Sequence, residues 1–367
     1  MRYRYRFATV IASMLLTLPA GAQNGVPPPP QLNLPPPVAP SLPPVNAPAS
    51  SGDIHTDASR RTLGGHLFMA PASIESAFVQ TIFDVRTSAR HESVSDVPFG
   101  NVTTDLKTLG VRETFLFDVA VNDVWGLGVG AFGQFNTGTN PRSLAIAGAN
   151  YAYGALVNGA LRIARIESSG TQITLRAQFF GAQGGQRLTL VPFLRSVRNM
   201  PAQTVAALIT NFGELVQVPT SWYGGAAAIT LAQALSPVFG LQASFRLDLQ
   251  RFHQAPFVPG QGRVDIDSTG WLPSVGVAFG ITPPNFPVAF LAEYRTAAQN
   301  FNDPTSRAHH LVGIGAYYTA RLDLQLGLNV SGEFGLPEIP GIDADGNLAA
   351  SKRGNAISGQ FVMRYYW

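Results

Sequence analysis

Three small groups of residues have types and spacings that could do chemistry. His91-Glu92-Ser93 sets a histidine two residues before a serine. A nucleophilic serine needs a base within hydrogen-bond reach and a third group to orient that base, and the sequence supplies no such third group. His309-His310 opens a strand-like segment and is equally readable as decoration of a rim. Asp343, Asp345 and Asn347 surround Gly346 with the alternate oxygen spacing of half a calcium loop, but the downstream bidentate glutamate is missing. A turn held by its own Asp and Asn side chains is expected there, with no metal. Catalysis and cofactors are not expected.

The larger store of charge is distributed. Asp84 and Arg86, Arg112 and Asp118, then Arg162 and Arg176, fall opposite apolar faces of strand-like segments. Arg246 and Asp248, Glu293 and Arg295, and finally Asp323, Glu333 and Arg364 continue the pattern. Small residues lie between them, as at Gly126, Gly128 and Gly130 or Ser274, Gly276 and Ala278. If the apolar faces look outward, these charges line an interior, where they must be hydrated or paired. They either line a pore and orient a passing solute or stiffen a closed interior as salt bridges.

The elements that must position these charges are strands. In "RLDLQLGLNVSGE", Leu322, Leu324, Leu326, Leu328 and Val330 oppose Asp323, Gln325, Gly327, Asn329 and Ser331. A helix would scatter those aliphatics round its circumference, so the period of two specifies a strand. Twelve such segments are predicted, near 77–88, 109–121, 125–136, 151–166, 171–183, 221–233, 238–250, 271–281, 287–297, 309–320, 322–334 and 356–367, with fourteen as the alternative count. The connections alternate in length. Short turns at 122–123, 167–170, 235–237, 282–286 and 320–321 interleave with long loops at 89–108, 137–150, 184–220, 251–270, 298–308 and 335–355. Sorting of loops by parity is a property of membrane barrels, and a soluble sandwich has no reason for it.

Composition agrees. Charged residues are only 13% of 367, while glycine (37) and aromatics (10%) are plentiful, so apolar surface replaces charged surface. No run of about 18 apolar residues follows the start, which excludes helical spans. A net charge of +3, without basic runs beyond residue 6, excludes a nucleic-acid surface. Residues 1–22 have the arginines, apolar run and small-residue site of a signal peptide. Residues 23–59 form a spacer whose 26–48 stretch holds eleven prolines, an extended semi-rigid tether. Absence of cysteine excludes disulfides. The 60–76 segment is expected at the short-turn rim or threaded into the interior, and 77–367 is expected to form the barrel.

The final segment, "ISGQFVMRYYW", aligns Phe361, Met363, Tyr365 and Trp367 on one face. This ending resembles the terminal aromatic signature of Gram-negative outer-membrane β-barrel proteins, a porin-like class. Tryptophan stands where phenylalanine is more usual. The resemblance implies an all-β, closed antiparallel transmembrane barrel in the bacterial outer membrane, in contact with its lipid, and it implies that the barrel-assembly machinery reads this ending. In the longest loop, Thr204 caps a candidate helix with Val205, Leu208, Ile209, Phe212 and Val216 on one stripe, suited to constricting a pore or capping the surface. His91 and Ser93 look like part of an outer-membrane phospholipase site, without its other pieces. The expected function is passage of small-molecule solutes. A closed structural or surface-binding barrel is the second reading, and a hydrolase at the lipid surface the third.

Overall fold

The computed structural model describes residues 58–100, 102–187, 217–255, 257–258, 262–284, 286–298, 308–336, 338, 340–343 and 348–367. Twelve long strands run in chain order: β1 (Ile82–Gly100), β2 (Val102–Ala120), β3 (Trp125–Gly138), β4 (Ala149–Ile166), β5 (Thr171–Arg187) and β6 (Gln217–Ala234). β7 (Phe239–Gln254), β8 (Ile266–Ile281), β9 (Val288–Ala297), β10 (His309–Tyr318), β11 (Leu324–Leu336) and β12 (Gly354–Tyr366) complete the set. Each pairs antiparallel with its neighbours, and β12 pairs with β1 from Tyr366↔Ile82 to Asn355↔Ser93, which closes the sheet into a twelve-strand barrel. Closure leaves none of these strands with an unpaired edge, as a lipid surroundings demands.

The alternation of the sequence becomes two surfaces. On β9, Phe290 faces out at 45% exposure while its neighbour Leu291 faces in at 3%. Leu127, Val129, Val157, Leu175, Ile229, Val275, Ile314, Leu328 and Ile357 extend the outward apolar band round the barrel. The inner wall is polar and small: Gln134, Thr174, Gln242, Asn329, Ala228 and Ala278 are all buried there. Apolar outside and polar inside is the pattern of an outer-membrane barrel. At the short-turn rim Trp367 meets Phe117 and Tyr365 edge-on, at 5.8 and 4.9 Å between ring centroids. The sequence therefore ends on an outward aromatic of the kind favoured at a membrane boundary.

Because Ile314 and Leu328 are 67% and 66% exposed in this band, a charge placed there tests what surrounds the barrel. Ile314→Arg is expected to lower folding stability in vesicles by about 2–4 kcal/mol, the cost of a cation near the bilayer midplane. Urea titration checks it, and a change near zero would deny lipid contact at this face.

Three expectations need correction. The first strand begins at Ile82, not near 77, because Ala77 and Phe78 spend their carbonyls on interior side chains rather than on a strand partner. The expected loop 89–108 is instead the extended β1–β2 hairpin, laddered out to Phe99↔Val102. Serine, threonine and charge on both faces hid it, since hydrophobic alternation vanishes where a strand leaves the apolar layer. The hairpin carries a bulge between Val94 and Val97, where Asp96 takes a left-handed φ of 55° that aspartate tolerates. Lys352 holds that bulge, its Nζ 2.7 Å from Asp96 and its backbone N–H donating to Ser95. The loop expected at 137–150 is largely a short helix, Pro141–Ala147, capped by Asn140. Val205, Leu208, Ile209, Phe212 and Val216 lie outside the described residues, as do Asp345 and Asn347; Asp343 ends a short strand, Pro340–Asp343.

Candidate functional site in the barrel lumen

Residues 58–81 enter the barrel from the short-turn rim, rise into the lumen and return to the rim to start β1. The segment opens with one helical turn, Ala58–Arg61, followed by a tight two-strand turn in which Thr62 faces Leu67. Gly64 and Gly65 supply the positive φ values, 55° and 79°, that this turn requires. Arg61 fixes the turn at the rim, its guanidinium 3.9 Å from the Tyr366 ring and donating to the Leu322 carbonyl. From the opposite wall Arg165 donates to the carbonyls of Arg60 and Thr62, both at 2.8 Å. His66 is buried, which pushes its pKa down, although a bond to the Pro237 carbonyl opposes the shift. That carbonyl can only accept, so Nδ1 of the neutral ring carries the proton at 3.3 Å.

Two apolar clusters seat the segment. Leu63, Phe68, Ala77 and Phe78 pack on Ala232, with the Phe68 and Phe78 rings 5.0 Å apart. Met69, flanked by Leu67 and Ile74, packs on Ala278, Ala289, Leu291, Tyr317 and Val362. Glycines on the wall make the space. A Cβ on Gly240 would collide with His66 and Phe68, and one on Gly276 with Ile74.

The rest of the segment is held as a bound peptide would be, its backbone bonded to wall side chains. Gln242 donates to Met69 O at 2.8 Å, and Arg364 donates to Ala70 O at 2.6 Å and Pro71 O at 3.1 Å. Glu293 accepts from Ala72 N at 2.9 Å, from Ser73 N at 2.7 Å and from the Ser73 hydroxyl. Arg86 and Arg295 donate to Ala72 O and Ser73 O, each at 3.3 Å. Arg176 spans Ser76 O and Phe78 O at 2.6 and 2.7 Å, and Gln172 and Thr174 share Ala77 O. Glu75, at the crest of the segment, pairs with Arg246.

These contacts locate the charges singled out in the sequence. Arg86, Arg176, Arg246, Glu293, Arg295 and Arg364 all touch the lumenal segment. Asp84 pairs with Arg86 and Arg364, and Asp248 with Arg246. Asp118 accepts from Asn158 at 2.9 Å. Glu333 pairs with Arg90 at 3.1 Å, on the long-loop side of the crest. Arg112 lies over the Phe132 ring at 4.9 Å. Arg162 stands half-buried near the short-turn end of β4, and Asp323 pairs with Arg321 in the turn before β11. The sequence pattern does not single out Arg90, Arg165, Gln172, Thr174 and Gln242 as site residues. Arg165 was hidden because a bulge between Arg162 and Ala164 shifts the inward parity by one.

Hydrolysis at the lipid surface gains no support from the histidines. His91 Nδ1 lies 3.0 Å from the Thr108 carbonyl, and His310 Nδ1 lies 2.9 Å from the Tyr294 hydroxyl. Among the described residues no group of three or more His, Cys, Asp or Glu is placed to hold a metal.

No family model matches the sequence, and no curated protein matches it. Among solved structures, the chain is similar to the translocator domain of the autotransporter NalP from Neisseria meningitidis, at 9% identity and a TM-score of 0.49, over 79% of this chain and 89% of that one. A Pseudomonas aeruginosa FadL homologue matches at 12% and 0.49, over 85% and 98% of the two chains. An outer-membrane channel from Pseudomonas putida F1 matches at 11% and 0.47, over 81% and 100%. At such identities and scores nothing about function passes to this chain.

Proposed function

We propose that this outer-membrane barrel is a channel for small molecules whose resting lumen is shut by residues 58–81 acting as a releasable plug. The observation that supports it is how the plug is held. Its backbone bonds to Arg86, Arg176, Glu293, Arg295 and Arg364, side chains that water can serve once the plug leaves, leaving a wall of hydratable charge. A closed interior could be packed with apolar side chains at less cost than with buried charges. The signal peptide at 1–22 directs export, and the proline-rich stretch that precedes the plug keeps it, once released, near the short-turn rim. The assembly machinery reads Phe361, Met363, Tyr365 and Trp367 on β12.

The two apolar clusters favour the second reading, a permanently closed structural or surface-binding barrel, so the test must separate the two. The chain has no cysteine, which makes a tether clean: Ile74→Cys with Gly276→Cys joins plug to wall where the two already touch. In planar bilayers the oxidised tether is expected to be silent and the reduced form to show opening steps. Equal conductance in both states would mean that the plug is not the gate. Silence in both, from protein shown to be folded by heat-modifiable mobility, would decide for the closed barrel.

A further inference from the structure

The crest of the plug carries its single acidic residue, Glu75, and this residue does not meet the wall by chance of packing. It meets Arg246 Nη1, the one nitrogen of that guanidinium not already taken. Nε and Nη2 bond Asp248, at 2.9 and 2.7 Å to its two oxygens, and Nη2 also donates to Gln178 at 2.9 Å. Asp248 and Gln178 thus fix the guanidinium and leave Nη1 presented to the lumen axis. Arg176 stands on the other side, anchored on the plug carbonyls either side of Ala77, and Arg86 stands below, anchored on Asp84 and Ala72 O. Burial pushes the Glu75 carboxyl up, but Arg246, Arg176 and Arg86 outweigh it and hold the pKa below the usual range. With the plug withdrawn, Arg246 loses one of its two carboxylates and Arg176 loses both of its carbonyl acceptors. A fixed guanidinium with Nη1 freed, flanked by a second arginine whose acceptors have left, is an arrangement that binds a carboxylate through charge-assisted hydrogen bonds.

We infer that Arg246 and Arg176 form a carboxylate-binding site in the lumen that the plug occupies with its own Glu75, and that small carboxylate solutes compete with Glu75 for it and so release the plug. The inference rests on the plugged-channel reading for its consequence, though the site itself does not. By linkage, a solute that binds only the plug-out state raises that state's population, and the same competition weakens the solute's apparent affinity in the intact chain. Glu75→Gln keeps the side-chain volume and removes the competing charge. Propionate is the free counterpart of the glutamate side chain, and propionamide is its neutral twin.

The test titrates sodium propionate and propionamide calorimetrically into the refolded full-length chain in detergent, at constant ionic strength. Glu75→Gln is expected to bind propionate at least about tenfold more tightly than wild type, with no matching gain for propionamide. Adding Arg246→Gln is expected to abolish this binding, and Arg246→Lys, which keeps the charge but loses the guanidinium that Asp248 and Gln178 fix, to weaken it. Retained heat-modifiable mobility shows that each variant is folded. Absence of propionate binding to Glu75→Gln, equal binding of propionamide, or binding indifferent to Arg246 would overturn the site. In bilayers, propionate is expected to increase openings of the wild type while propionamide does not. Tight, Arg246-dependent binding without any opening would leave the site standing and overturn release of the plug by it. If the reduced tether opens but propionate fails to bind, the channel stands and the carboxylate site falls.

Discussion

Glu293→Gln is expected to open the channel. Glu293 is 3% exposed and collects three donors from the plug: two consecutive backbone N–H groups, of Ala72 and Ser73, and the Ser73 hydroxyl. Two successive amides aimed at one carboxylate make a small anion-binding concavity, here inverted, with the anion on the barrel and the nest on the plug. Glutamine keeps the volume but turns one oxygen into an amide nitrogen, a donor. Whichever way the amide rotates, at least one plug N–H then faces another donor, and the charge assistance of the remaining bonds is lost. A hydrogen bond to a charged group contributes about 1.5–3 kcal/mol, and leaving its partner buried without an acceptor costs a similar amount. A loss of about 3 kcal/mol in plug affinity raises the plug-out population by about a hundredfold.

Open probability in planar bilayers reads this directly. Glu293→Asp, which retains the charge but withdraws it by one methylene, is expected to fall between wild type and Glu293→Gln. Accessibility of a cysteine placed at Ser76 to a membrane-impermeant thiol reagent should rise in the same order, because the native chain has no other thiol. Unchanged open probability and labelling in Glu293→Gln would mean that Glu293 does not hold the plug.

The barrel was legible because its physics is periodic. Every strand that crosses the apolar layer must alternate, and the clean repeats of "LQASFRLDLQ" and "LQLGLNV" became β7 and β11 with those faces in place. Where the strand passes out of that layer, as in β1 beyond Ala89, nothing enforces alternation, and the hairpin is specified by backbone pairing that composition does not reveal. Within the lumen the sequence marked the charged residues but not their partners. Glu293 and Arg295 look alike to a period-two pattern, yet one accepts from the plug's amides and the other donates to its carbonyl. Which residue is acceptor and which donor depends on the path of 58–81, a segment with no period at all. Its only local signals are Gly64-Gly65, which turn the chain, and the small residues at Gly240 and Gly276, whose meaning appears only once His66, Phe68 and Ile74 occupy the space they leave.

Arg364→Met should have the largest effect on stability, because Arg364 joins the seam of the barrel to the plug. The guanidinium is fully buried. It lies on β12 directly opposite Asp84 of β1, the pair of strands whose ladder closes the sheet. Its Nε donates to Asp84 at 3.0 Å, while Nη1 and Nη2 donate to Ala70 O and Pro71 O. Methionine fills most of the volume and supplies none of these bonds. Removing one partner of a buried ion pair costs about 3–5 kcal/mol, chiefly because the other charge is left without compensation. Arg86 still reaches Asp84 at 2.6 Å, so the lower end of that range is expected. The double variant Asp84→Asn/Arg364→Met separates the terms. If the seam pair carries the effect, removing the orphaned charge restores part of the loss, and the cycle shows a coupling of about 1–3 kcal/mol in urea unfolding from vesicles. The two plug carbonyls remain unserved in the double variant, so openings should stay frequent while barrel stability recovers. Additive losses with normal gating would instead place Arg364 in the wall alone, with no hold on the plug.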